Sequence, residues 1–367
     1  MTTRPDEIAA VAPPLAERHA WARFLWRGLF GGWINSAVTL AVAWLLFVIV
    51  PPILEWMVLK ANFVGSQRED CTGGGACWVY IHQRFGQLMY GLYPQAERWR
   101  VDVAGLLLLA FVGPLFFERT PGRARLALAA LLLYPPLCLV FLLGGVLGLP
   151  LVETREWGGL MLTTFMAVFG GVIAFPLGVL LALGRRSELP VIHWASVTFI
   201  EFWRGVPIIT VIFLASVLLP LILPQGVTVD RLLRALVGLA LVVAAYMAEV
   251  VRGGLQALPK GQEEGAQALG LSYWQTTGLI VLPQALRIVI PGLVNEFIAL
   301  FKNTTLVLIV SLFDFLGMAQ ATLADPKWVG MNLEAYVFVG LVFWLICFAV
   351  SRWSLRLERR LETDRRG

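Results

Sequence analysis

Long apolar blocks alternate with short polar joints along most of this chain. A helix needs roughly 20 apolar residues to cross the hydrocarbon core of a bilayer. Eight segments, with soft edges, approach or exceed that length: 36–59, 101–117, 126–149, 159–183, 205–223, 235–251, 288–312 and 333–351. The pattern predicts an all-α, polytopic integral membrane protein with about eight transmembrane helices. The second segment is short and interrupted by Pro114. Residues 1–34 are a polar tail with Asp6, Glu7 and Glu17, and the apolar run behind them is too long for the core of a cleavable signal peptide. That run reads as a retained first span. Residues 284–317 as one helix would be about 51 Å long, against a core of about 30 Å. The stretch must tilt, bend or break, with Pro291-Gly292 and Asn303-Thr304-Thr305 as candidate places.

Composition agrees with the pattern. The chain of 367 residues is 58% apolar and 14% charged, with mean hydropathy +0.76. Soluble domains are about 45–50% apolar and about 25% charged. Disorder and a disulfide scaffold are excluded, the first by hydrophobicity and the second by only four cysteines. The net charge of +5 would suggest nucleic acid in a soluble chain, but here it is a topological signal. With the N-terminus in the cytoplasm, 19 Lys and Arg fall inside and 9 outside, leaving Lys302 within a span. The positive-inside rule therefore predicts both termini in the cytoplasm. No nucleic-acid partner is expected; membrane lipid is. The longest outside loop, 60–100, carries Cys71 and Cys77, which would face an oxidising compartment. A disulfide and two unpaired thiols are both open readings. Cys138 and Cys347 sit alone in spans and read as packing residues.

Absences narrow the chemistry. Only four lysines occur (Lys60, Lys260, Lys302 and Lys327) and none precedes Ser or Thr, so no phosphate-cradling G-x-x-x-x-G-K-[ST] loop exists. H-E-x-x-H and G-x-S-x-G are also missing. No metal-ligand or catalytic constellation is recognisable, which moves transport above catalysis.

The exception among the short inside loops is 252–287. Gln262 to Leu269 is a short helical pattern with Glu263 and Glu264 in its first turn, where the helix dipole favours acids. Gly270 is placed as a left-handed cap. Ser272 and Gln275 form an S-x-x-Q capping box for a second short helix, which Leu282-Pro283 is expected to stop. Tyr273 and Trp274 are aromatic anchors, for a docked partner or for lipid headgroups. Glu264-Gly265-Ala266, Gly270, Ile280 and Leu282-Pro283 resemble the E-A-A-x3-G-x9-I-x-L-P loop of the permease subunits of ATP-binding-cassette importers. Gly265 departs from that pattern, small for small.

The resemblance extends through Leu160–Arg186, the E-x-x-R-G-x-P segment Glu201–Pro207, Ala245–Gly254, and Asn295-Glu296-Phe297 through Lys302-Asn303-Thr304-Thr305-Leu306, which are similar to polar amino-acid permeases. It implies a type I importer permease fold, with a five-helix core in 159–355 and 252–287 as its ATPase-coupling loop. Residues 35–150, three further spans with the loop 60–100, resemble the M-type permease of the general L-amino-acid importer of Gram-negative bacteria; 356–367 would be a basic cytoplasmic tail. The implied partners are an ATPase dimer that uses ATP and Mg, a second homologous permease, a periplasmic amino-acid-binding protein and an amino-acid substrate. This chain itself would hold no cofactor and would not be an enzyme. The rival reading is an ion-coupled secondary transporter, whose mark would be broken helices in two matching halves.

Ionisable residues within spans are functional candidates by default. Glu249 or Glu296 would accept from a zwitterion's ammonium, and Lys302, Asn303 and Thr304 would donate to its carboxylate. A structural polar knot is the competing reading, and Glu249 has a third, service to the adjacent coupling loop. Arg204 is open between a gate residue and a snorkelling anchor. Asp314 is expected at the outer surface.

Overall fold

The computed structural model describes residues 26–117, 120–224 and 226–366. The expected tail up to residue 25, Arg119, Gly367 and the side chains of 359–366 lie outside the described residues. No β-strand forms among the described residues; isolated bridges join loops instead. The chain divides at Val79/Tyr80 into two units.

The first unit holds helix α1, Trp33–Leu54, which continues through a π turn, Glu55–Leu59. None of its side chains is buried. Trp, Leu, Val and Ile exposed on every side of a helix are costly in water and at ease in lipid. Beyond it, the loop folds back on itself. Asn62 N donates to Ala76 O at 2.8 Å, Trp78 Nε1 donates to Met57 O at 2.9 Å, and Cys71 is bonded to Cys77 with Cα atoms 5.6 Å apart. Backbone N–H groups of Ser66 and Gln67 bond the Asp70 carboxylate at 2.7 and 3.0 Å and hold it below its ordinary pKa.

The second unit contains the remaining helices: α2 Trp78–Tyr90 (its first two residues belong to the first unit), α3 Arg98–Val112, α4 Arg123–Leu143, α5 Gly159–Arg185, α6 Pro190–Gly205, α7 Ile208–Ile222, α8 Arg231–Gln256, α9 Gly261–Ala268, α10 Leu282–Asn303, α11 Phe315–Leu323 and α12 Asn332–Arg366. Its centre is the pair α5 and α8. Gly178 of α5 lies where a Cβ would come within 2.9 Å of Met247 Cβ and 3.0 Å of Ala244 O. Ala235, Gly238, Ala240, Ala244, Ala245 and Ala248 of α8 are buried. Small residues let backbones approach closely, which is how helices associate where lipid removes the hydrophobic drive. Helix α10 joins α8 in the same manner, with Gly254 against Ala285 O.

Among the described residues, six helices are long and apolar enough to cross a membrane, or up to seven if α6 and α7 are counted as one bent span. The expected count of about eight is not confirmed, and two segments account for the difference. The segment 101–117 is helix α3 of 15 residues, about 22 Å long, running into a 3₁₀ turn at Gly113–Phe116 that contains Pro114. The segment 205–223 is preceded by an unexpected helix, α6, and the two meet at a 102° bend. Pro207 cannot continue α6, and it pushes Val206 into an extended conformation. Inside α7, Pro220 has no N–H for the carbonyl of Ser216 four residues back. Arg234 of α8 donates to that carbonyl instead, as burial requires.

The expected stop at Leu282-Pro283 does not occur. The chain passes from Tyr273–Gln275 through a π segment, Thr276–Val281, straight into α10. The wider π turn accommodates the proline at the start of α10. Pro291-Gly292 does not break α10 either. The helix gives way at Asn303 to a 3₁₀ run, Thr304–Val310, which ends at Ser311 in the left-handed region.

Candidate functional site

Two groups of predicted residues come together, and a third does not. The first is the hairpin after α8. Helix α9 carries Glu263 and Glu264 in its first turn, Gly270 follows with φ +76°, and the reciprocal Ser272–Gln275 capping box opens the second arm. Nothing lies within 4 Å of a Cβ placed on Gly265 or Gly270, so the outer face of the turn is open. Ala266 is buried beneath it. Leu269 is 80% exposed and Trp274 74% exposed, with Tyr273 packed edge-on to Trp274 at 5.3 Å. Ile280, Leu282 and Pro283 lie on the ascending arm, where Gln284 donates to Ile280 O and to Gln262 Oε1, both at 3.0 Å.

The second group is an ionic hub. Glu249 of α8 is 16% exposed and meets Arg185 of α5 at 2.7 Å, Arg252 at 2.7 Å and Arg204 of α6 at 3.8 Å. Arg185 also bonds Glu201 of α6 at 3.0 Å, and Arg204 lies over the Tyr246 ring at 5.7 Å. Arg252 extends to Gln256 at 2.8 Å. Glu249 and Arg204 therefore belong to one knot that ties the ends of three helices together, one turn from the loop. Sequence reading singled out both residues but missed Arg185 and Glu201 as their partners. The signal available was a pair of arginines closing one span and an acid in E-x-x-R-G-x-P.

The remaining candidates, Glu296, Lys302, Asn303 and Thr304, lie along α10 and its 3₁₀ continuation. Thr304 is fully buried and its hydroxyl donates to Phe301 O at 2.9 Å, so it is not presented to a cavity. Lys302 is exposed, and Thr305 donates to its carbonyl at 2.9 Å. Asp314 corrects an expectation: it has no exposed surface. Its carboxylate caps α11 by accepting from Gly317 N at 2.9 Å, while Thr163 of α5 accepts from Phe315 N at 2.9 Å.

Residues 174–363 match the family described as "Binding-protein-dependent transport system inner membrane component". The chain is 52% identical to the "Inner membrane amino-acid ABC transporter permease protein YhdY" of Escherichia coli K12, over 96% of this chain and 97% of that one. The chain belongs to this family of inner-membrane permeases. It is also 36% identical to the "Glutamate/glutamine/aspartate/asparagine transport system permease protein BztC" of Rhodobacter capsulatus, over 98% of each chain. A solved structure titled "Crystal structure of an amino acid ABC transporter with histidines" is similar over 55% of this chain and 92% of that one, at 26% identity and TM-score 0.49. The permease is thus a multi-pass inner-membrane protein of the ABC importer class, and the ion-coupled alternative has no support from its relatives.

Proposed function

We propose that this permease forms the translocation path of an ATP-driven amino-acid importer and is driven through the 252–287 hairpin by a separate ATPase. The observation that carries the reading is the hairpin itself. A glycine in left-handed conformation and a capping box hold Leu269, Tyr273 and Trp274 outward, with open space before Gly265 and Gly270. Exposed aromatic and aliphatic anchors around small residues suit a groove on a protein partner. Kinship with relatives named as amino-acid permeases supports the cargo.

In this reading both termini and the hairpin face the cytoplasm, the 60–100 loop faces the periplasm, and a periplasmic binding protein delivers the amino acid. ATP and Mg are used by the ATPase dimer, and a second, homologous permease chain completes the path. Glu296, Lys302 and Asn303 are the residues of this chain offered to the zwitterion, by charge pairing and hydrogen bonds. Each nucleotide state stabilises one arrangement of the helices, so access alternates by population shift.

The test is uptake into proteoliposomes holding the permease with the ATPase and second permease that assemble with it, and binding protein outside. Import that needs ATP within and survives collapse of the membrane potential is the expected result. Import that follows the potential and ignores ATP overturns the proposal.

A further inference from the structure

Helix α9 stands beside a cavity of about 470 Å³, lined among others by Arg186, Leu258, Lys260, Glu263 and Gln267. Across it runs one ion pair, Arg186 to Glu263 at 2.7 Å. On its other flank α9 is held by the Gln262–Gln284 hydrogen bond to α10. Glu263 is not among the residues that match the importer loop pattern, which begins at Glu264.

The other end of this strut matters more. Arg186 follows Arg185 directly at the end of α5, and consecutive residues in a helical turn point to different sides. Arg186 reaches down to α9, while Arg185 reaches into the hub to Glu249 and Glu201. The backbone between them is itself anchored, since His193 Nδ1 of α6 lies 2.8 Å from Arg185 O. Gly184, one residue earlier, lets α6 approach so closely that a Cβ there would lie 2.2 Å from Ser196 Oγ.

We infer that the Arg185-Arg186 pair is a two-sided ionic strap. It positions α9 on the end of α5 and carries displacement of α9 into the Glu249 hub, where α5, α6 and α8 meet. This inference rests on the importer reading above. The Arg186–Glu263 ion pair is a direct charge contact between α9 and the end of α5, at the lining of that cavity. Both residues are about one-third exposed. Such a pair contributes modestly, and its loss changes an equilibrium by only a few fold. That is the magnitude of a coupling residue rather than a folding determinant. In this inference Arg186 and Glu263 are positioning residues, acting through α9 and the hub.

The experiment uses the full complex in proteoliposomes and reads ATP hydrolysed per amino acid imported. Reversing one charge, Arg186→Glu or Glu263→Arg, should raise that ratio roughly threefold, the size a partly exposed pair supports. The double reversal, Arg186→Glu with Glu263→Arg, should restore it toward wild type. Arg186→Gln, which introduces no repulsion, should show the same direction and covers the case in which a reversal prevents assembly. A ratio unchanged in Arg186→Gln, or a double reversal no better than the singles, overturns the strap. Wild-type vesicles that import nothing with ATP overturn the importer reading instead, before any variant is compared.

Discussion

Asp314 shows how a single buried carboxylate sets a local pH dependence. It lies between two spans, and burial pushes its carboxyl up to about 6, against the lowering effect of the Gly317 N–H. The folded chain therefore holds this proton more tightly than the unfolded chain does. Its contribution to stability is full below about pH 4 and is lost as pH rises through about 6. Asp314→Asn keeps an N-cap side chain and mimics the neutral acid. The variant should melt later than wild type at pH 7.5 and close to it at pH 4.5, by thermal unfolding in detergent. Equal midpoints at pH 7.5 would remove Asp314 from this role. Gly270 is a second residue whose identity is dictated by backbone. At φ +76° with no neighbour near its Cβ position, Val there costs only conformational strain, about 1–2 kcal/mol. Gly270→Val should cut co-purified ATPase about 5- to 30-fold, and Gly270→Asn, which tolerates that region, should cut it far less. Gly270 was legible because glycine and the S-x-x-Q box flank each other in the chain. Asp314's burial was not, because Thr163 and the α5 terminus that cover it are distant in sequence.

At the scale of elements, small residues and prolines decide the geometry. Close approach of α5 and α8 depends on Gly178, so Gly178→Leu must displace Met247 or the α8 backbone. The expected cost is about 1–3 kcal/mol or more, seen as an earlier melt in detergent, whereas Gly105→Leu, in open space on α3, should be neutral. Length and hydrophobicity made α1, α4, α5, α8 and α12 legible. Prolines were harder to read. Pro207 ends a helix, Pro220 is accommodated by a π turn and an arginine from α8, and Pro283 is carried through by a second π segment. The same residue type has three outcomes, because what matters is whether a neighbour takes the freed carbonyl or the chain can widen locally. Neither condition is written within the helix that contains the proline.

For the whole molecule, orientation is the sharpest expectation, since the excess of basic residues on one set of loops predicts the hairpin and both termini in the cytoplasm. A cysteine at Gln267 should react with a membrane-impermeant thiol reagent only after the inner membrane is opened. A cysteine at Gln95 should react in intact spheroplasts, in a background where Cys71 and Cys77 are replaced by serine. The reverse pattern would invert the topology. The bare surface of α1 suits lipid, and in the proposed importer the outward aromatics of the hairpin meet a protein partner instead.

Sequence alone determined that this chain lives in a membrane, which loop is the exceptional one, and that the given sequence carries no phosphate-cradling G-x-x-x-x-G-K-[ST] loop. These follow from local quantities: run length, charge sign and motif spacing. Tertiary structure decided which ionisable residues act together. Glu249 reads in sequence as one of several isolated charges, and in space it is the centre of three arginines from three helices. Thr304 reads as a polar residue at a break, and in space its hydroxyl is spent on its own backbone. The reason is geometric. A helix period says which residues share a face, but only the packing of one helix on another says what that face meets.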